Sequence, residues 1–168
     1  MRVMYDGELH VHYSQFYVSS GDAGESAGAG DTRVGQANGL CGAAVPGFLF
    51  LTTGLHTGLV PLRLERHDTE PPVPEDWEDI VEVSFTSVEP QVRLLLWEGD
   101  SFPLDLEPTT YRVRYCANGM DEGHDIDGRA EGEPVADRYL MQWWPGPFQA
   151  DRIVKQTSQS AGYWNSGV

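Results

Sequence analysis

Thr110-Tyr111-Arg112-Val113-Arg114-Tyr115-Cys116 is the stretch that decides the fold class. Tyr111, Val113 and Tyr115 occupy every second position, with Arg112 and Arg114 between them. Side chains of a strand alternate between its faces, so this spacing predicts a strand with an apolar inner face and two arginines pointing outward. The same period recurs elsewhere. Leu9, Val11 and Tyr13 alternate with Glu8, His10 and His12; Val60, Leu62 and Leu64 with Pro61, Arg63 and Glu65; Val81, Val83 and Phe85 with Glu82, Ser84 and Thr86. Phe16 and Val18 switch phase relative to Leu9 and Val11, which predicts a bulge near Ser14–Gln15. Phe48–Leu51 and Val92–Trp97 are short and continuously apolar, as strands covered on both faces are. Arg138–Trp144 reads as a last strand, stopped by Pro145 and Pro147.

Seven or eight such strands with turn signals between them predict an all-β fold, an antiparallel β-sandwich. Thr53-Gly54-Leu55-His56-Thr57-Gly58 reads as a hairpin connection. Helical spacing is confined to the tail. Ala150, Ile153, Val154, Thr157, Ala161 and Trp164, with Asp151 four residues before Lys155, predict one C-terminal helix. The 168 residues fit a single domain, 1–168, carrying a Gly-rich loop at 19–47. Met1–Asp6 is not a cationic region followed by an apolar run, and no apolar stretch reaches 18 residues. The expectation is a soluble, cytoplasmic protein with no membrane partner. In such a compartment Cys41 and Cys116 are expected as unpaired thiols.

Charge narrows the partners. The chain has 26 Asp and Glu against 11 Lys and Arg, a formal net charge of -15. Such a surface repels nucleic acid and anionic membrane and attracts basic proteins. No direct nucleic-acid contact is expected; a basic protein partner is. Two regions concentrate the charge. The first holds Glu65, Asp68, Glu70, Glu75, Asp76, Glu78, Asp79, Glu82 and Glu89, against Arg66. The second, Met120 to Asp137, holds Asp121, Glu122, Asp125, Asp127, Glu131, Glu133 and Asp137, against Arg129. Closely spaced carboxylates on loops can copy a phosphate track or receive an Arg-rich surface. They can equally be solvated loops that keep a protein soluble. Trp143-Trp144 concentrates aromatic surface at a strand end, where one ring is expected in the core and the other more exposed. The candidate partner-binding residues are therefore Asp121, Glu122, Asp125, Asp127, Glu131, Glu133, Trp143 and Trp144.

No catalytic residue, cofactor or metal is assigned. Asp125-Ile126-Asp127-Gly128, with Glu131 and Glu133, lacks the third ligand before Gly and the closing Glu that a calcium loop needs. His10-Val11-His12 has metal-ligand spacing and resembles the HxH of cupins, but Gln15 and Phe16 stand where a cupin's Glu would be. Cys41 and His56 become a nucleophilic pair only if the fold joins them. Two alternatives stay open. One is a small metal-binding or Cys/His enzyme using His10, His12, Cys41 or His56. The other is an assembly component whose interface is the aromatic end, Trp143–Phe148.

Leu9-His10-Val11-His12-Tyr13-Ser14-Gln15-Phe16-Tyr17-Val18 resembles the first strand of the competence protein ComJ family. Thr110–Cys116, the acidic loop after it, and Asp137-Arg138-Tyr139-Leu140 are similar to that family's closing hairpin. The family's described member inhibits a DNA-entry nuclease. The resemblance implies a small acidic binding protein, a nuclease or toxin inhibitor without catalysis of its own. Ser19–Gly47 and Trp143–Trp164 depart from the family's pattern.

Overall fold

The computed structural model of the chain describes residues 1–23, 27–96 and 99–167. Its strands are β1 (Arg2–Val11), β2 (Gln15–Ser20), β3 (Cys41–Gly42), β4 (Phe48–Thr52), β5 (Thr57–Arg66), β6 (Asp79–Thr86), β7 (Val92–Leu95), β8 (Ser101–Leu104), β9 (Thr110–Asn118), β10 (Gly128–Arg129), β11 (Arg138–Pro145) and β12 (Arg152–Lys155). Its helices are α1 (Ala29–Thr32), α2 (Met120–Ile126) and α3 (Gln159–Ser166). The larger sheet runs β1-β5-β11-β9-β6-β12, with β10 beside β5; the smaller runs β3-β4-β2-β7-β8. The two-sheet β architecture and the C-terminal helix are as expected. The strands outnumber the expectation because β3, β8, β10 and β12 are too short to show alternation. Trp97, assigned to a strand with Val92, lies outside the described residues, as does Gly24 of the 19–47 segment.

Among the described residues, every ladder is antiparallel except two. β11 and β10 both lie parallel to β5, with Tyr139 opposite Leu62 and Arg129 opposite Gly58. The alternating positions do line the interior. Leu9, Val11, Leu62, Leu64, Val83, Phe85, Tyr111, Val113 and Tyr115 from one sheet meet Phe16, Val18, Leu49, Leu51, Val92 and Leu94 from the other in one core.

The connections differ from the expectation. β1 keeps its phase only to Val11; Tyr13 is 62% exposed. The phase switch is a two-residue turn, not a bulge. Tyr13 and Ser14 sit at φ 56° and 57°, and His12 bridges Gln15. Positive φ at both central residues is the signature of the I′ hairpin turn. This turn carries the chain from the larger sheet to the smaller one. Residues 53–56 carry it back, because β4 and β5 belong to different sheets, and Thr57-Gly58 already open β5; the segment is a crossing, not a hairpin. In the tail, the first half of the expected helix is β12, with Ile153 opposite Val81. Asp151 therefore does not pair with Lys155 along a helix. It accepts the Ala37 and Asn38 amides and Asn38 Nδ2 at 2.8–2.9 Å, pinning the 19–47 segment, which contains α1 and β3.

Arg112 and Arg114 do leave the inner face, but the outer face is not solvent. The Pro-rich segment 67–78 and residues 149–152 cover it, and both arginines are buried. Arg114 donates to Glu82 at 2.9 Å, to the carbonyls of Pro71 and Pro72, and to Gln142. Arg112 donates to Ser84 and to the Gln149 carbonyl, and Arg152 adds a bond to Glu82 at 2.8 Å. A buried charge is tolerated when it is paired and fully hydrogen-bonded. Burial opposes ionisation of Glu82, but Arg152 and Arg114 outweigh it and hold the carboxyl below its usual range.

Val113→Asp places an unpaired charge between the sheets and is expected to leave no cooperative melting transition; a wild-type melt would show that β9 is misassigned. Arg114→Ala is expected to cost about 3–5 kcal/mol in urea unfolding, because it removes one of the buried charges paired with Glu82 and leaves the Pro71 and Pro72 carbonyls and Gln142 without their donor. The Glu82 shift also sets a pH dependence. Its folded pKa lies below the unfolded value of 4.5, so its stabilisation is complete above that pH and fades as pH falls through the folded value. Glu82→Gln should flatten the acid limb of the stability-versus-pH curve.

Candidate partner-binding site

The end of the sandwich where the chain crosses between sheets carries the second acidic region. Its base is Asp137, which is buried. The Asp137 carboxylate accepts the Leu55 amide at 2.8 Å and the Tyr139 hydroxyl at 2.5 Å, and Tyr139 in turn accepts the Gly54 amide at 2.7 Å. Tyr139 stacks on Tyr115, with centroids 5.5 Å apart, and Tyr115 donates to the Thr52 carbonyl. Burial raises the Asp137 pKa against the pull of these donors. α2 lies over this knot. A Cβ at Gly123 would come within 2.7 Å of the Asp137 carboxylate, so only glycine permits the approach.

The expected contact residues separate into three groups. Asp121 is turned inward. It accepts the amides of Gln159 and Ser160 and the Ser160 hydroxyl at 2.7–3.0 Å, and so fixes the first turn of α3. Burial opposes its ionisation, but the bonds from Ser160 and Gln159 lower its pKa overall. Glu122, Asp125, Asp127, Glu131 and Glu133 are exposed on α2 and the segment after it. Glu133 accepts the Ala130 amide. Asp127 sits at φ 61°, and its carbonyl accepts the His56 and Thr57 amides. Trp143 and Trp144 are both buried, a correction to the expectation of one exposed ring. Trp143 packs against Phe85 and Tyr111, while Trp144 lies under the Arg114 guanidinium at 5.0 Å. The covered outer face removes Trp144 from solvent, so neither ring offers a docking surface. Of the aromatic end, Phe148 is the exposed ring, at 74%.

Between α2, α3 and the two crossing turns lies a cleft of about 420 Å³. Asp121, His124 and Asp125 form one wall, Tyr163 and Trp164 another, and Ser14, Thr53 and Gly54 the floor. Among the described residues, the non-glycine positions at positive φ are Tyr13, Ser14 and Asp127, all at this end. The aromatic and hydroxyl half of the cleft is not legible in the sequence. Tyr163 and Trp164 read there as helix positions, and nothing local marks Ser14 or Thr53 as their neighbours.

The alternative chemistries fare differently. Cys41 and Cys116 are free and buried. Burial pushes the Cys41 thiol well up and the Cys116 thiol up to about 12, so neither is a nucleophile near neutral pH. No hydrogen bond links Cys41 to His56. Instead Thr57 Oγ1 lies 2.8 Å from His56 Nδ1 and 3.1 Å from His12 Nδ1. Among the described residues, no group of three His, Cys, Asp or Glu is arranged to hold a metal ion. No helix there is long and apolar enough to cross a membrane.

The architecture is that of a known class of small two-sheet β proteins. One similar structure is ComJ from Bacillus subtilis, an inhibitor of the DNA degrading activity of NucA. It shares 18% identity at a TM-score of 0.57, over 86% of this chain and 98% of that one. Another is the product of crocagin biosynthetic gene J, with 12% identity and a TM-score of 0.55, over 87% of this chain and 98% of that one. At these identities the likeness is one of fold. No family model matches the sequence, and no curated protein is similar to it in sequence.

Asp121→Ala removes the acceptor for three α3 donors and is expected to cost about 0.5–2 kcal/mol, as loss of a helix cap does. Glu122→Ala, one residue along and exposed, should leave the melting temperature unchanged. Thermal melts of the two variants side by side check this.

Proposed function

We propose that this chain is a non-enzymatic binding protein of the cytoplasm that captures and neutralises a basic protein, a nuclease or a toxin. The observation that carries the reading is the ComJ fold, shared over 86% of this chain, in a protein that inhibits a nuclease. Two features of the chain support it. The net charge of -15 suits a basic partner, and the exposed carboxylates Glu122, Asp125, Asp127, Glu131 and Glu133 lie together at one end of the sandwich. The buried, protonated thiols also count against thiol catalysis. The contact set in this reading is those five carboxylates; Asp121 supports them by holding α3.

The test begins with proteins captured by the chain from its own cells at low salt. The wild type should suppress the captured partner's activity, DNA degradation if it is a nuclease, at one-to-one stoichiometry. A variant with Glu122→Gln, Asp125→Asn, Asp127→Asn, Glu131→Gln and Glu133→Gln should keep its fold, since exposed charges add little to stability. Its association rate should fall about tenfold or more at low salt and lose most of its salt dependence, because steering follows the summed field. Equal rates at low and moderate salt would return these carboxylates to a solubility role.

A further inference from the structure

We infer that the cleft between α2 and α3 receives one arginine side chain of the partner, with the guanidinium laid on the Tyr163 ring and bonded to the Asp125 carboxylate. This deepens the proposed function and rests on it. The cleft's volume of about 420 Å³ falls in the roughly 300–1,000 Å³ range of sites that enclose a ligand group. Its walls supply what a guanidinium needs. Tyr163, on one wall, is 71% exposed; Tyr13, at 62%, lies outside the cleft's lining and packs edge-on against His12 and His56. Every other tyrosine in the chain is buried or half-buried. Large exposed aromatics rimming a hollow are the usual anchors of protein interfaces.

The carboxylates of the cleft are not equivalent. Both oxygens of Asp121 are taken by Gln159 and Ser160. Asp125 is exposed on the same wall and makes no hydrogen bond or ion pair within the described chain, so its charge is free for a partner. The chain itself repeatedly chooses the arrangement proposed. Arg33 lies 5.1 Å from the Phe50 ring and 5.2 Å from Trp164, Arg114 over Trp144, and Arg138 over Trp77. Trp164 thus already carries one guanidinium from the 19–47 segment. Tyr163, edge-on to it at 5.3 Å, is the ring of this pair that remains exposed. Arginine suits the cleft better than lysine, because a planar fork can stack on a ring and bond a carboxylate at once.

The probe is N-acetyl-L-arginine amide, titrated into the full-length ¹⁵N-labelled protein, with the lysine and citrulline analogues as controls. Arginine should shift the Gly54 and Ser160 amides and the Trp164 indole N–H; lysine should shift them less, and uncharged citrulline should not. Tyr163→Ala should weaken arginine binding about two- to five-fold, the worth of an exposed cation–π contact, and Tyr163→Phe should retain it. Asp125→Asn should weaken it as well. Both positions are exposed, so the variants should fold. Shifts spread over the whole acidic surface, equal responses to the three probes, or unchanged binding by Tyr163→Ala would each overturn the inference. The titration needs no partner. A captured basic protein whose binding ignores Tyr163→Ala sinks this inference and leaves the proposed function standing, whereas failure to capture any basic protein sinks the proposed function itself.

Discussion

The Asp137 carboxylate, buried between the Leu55 amide and the Tyr139 hydroxyl, joins two segments more than eighty residues apart in sequence. The chain crosses from one sheet to the other at residues 53–56, and a crossing has no strand partner to satisfy its amides. Asp137 and Tyr139 supply acceptors for two of them. That leaves the crossing tight enough for α2 to lie on it and for Asp121 to reach α3. The position of every cleft wall follows. A carboxylate with a raised pKa in a carboxylate-rich chain is a costly device. What it gives in return is the crossing it holds in place.

Period-two alternation located the inner faces because burial there is one-sided: Tyr111, Val113 and Tyr115 have nowhere else to go. The same rule misplaced Arg112 and Arg114, because it assumes that the opposite face is water. The Pro-rich segment that covers that face has no periodicity of its own, and beside the Glu70 carboxylate it gives Arg114 two backbone carbonyls, which no sequence pattern reports. Trp144 was misjudged for the same reason. In the tail, Ile153 and Val154 fit helical spacing as well as they fit a short edge strand, and β6 decided between them. At the site, the carboxylates were legible as a charge run, but their division into a structural Asp121 and exposed neighbours was not. Tyr163 became part of a cleft only when tertiary structure brought α3 against α2.

The two similar structures limit what the fold can say. One is a nuclease inhibitor and the other a product of a biosynthetic gene, so the scaffold itself is not tied to one task. In the first acidic region Glu82, bound to three arginines, and Asp79, accepting the Thr157 and Ser158 amides and the Ser158 hydroxyl, are buried, while Asp68, Glu70, Glu75, Asp76, Glu78 and Glu89 stay exposed. In the second, Asp121 and Asp137 are likewise taken up inside, and Glu122, Asp125, Asp127, Glu131 and Glu133 face outward. Both stretches thus divide their carboxylates between structure and surface.

The parallel placement of β11 has a consequence for biosynthesis. β11 sits between β5 and β9 and pairs with both, Tyr139 standing opposite Leu62 on one side and Ala117 on the other. A ribosome delivers β5 well before residues 138–145 exist, and β9 a shorter time before them. Until then each of those apolar strands has a bare edge, the kind of surface that recruits other chains or chaperones. Pairings so distant in sequence also close slowly. The nascent protein is therefore most vulnerable between the synthesis of Asn118 and that of Pro145, when the gap in the larger sheet is filled.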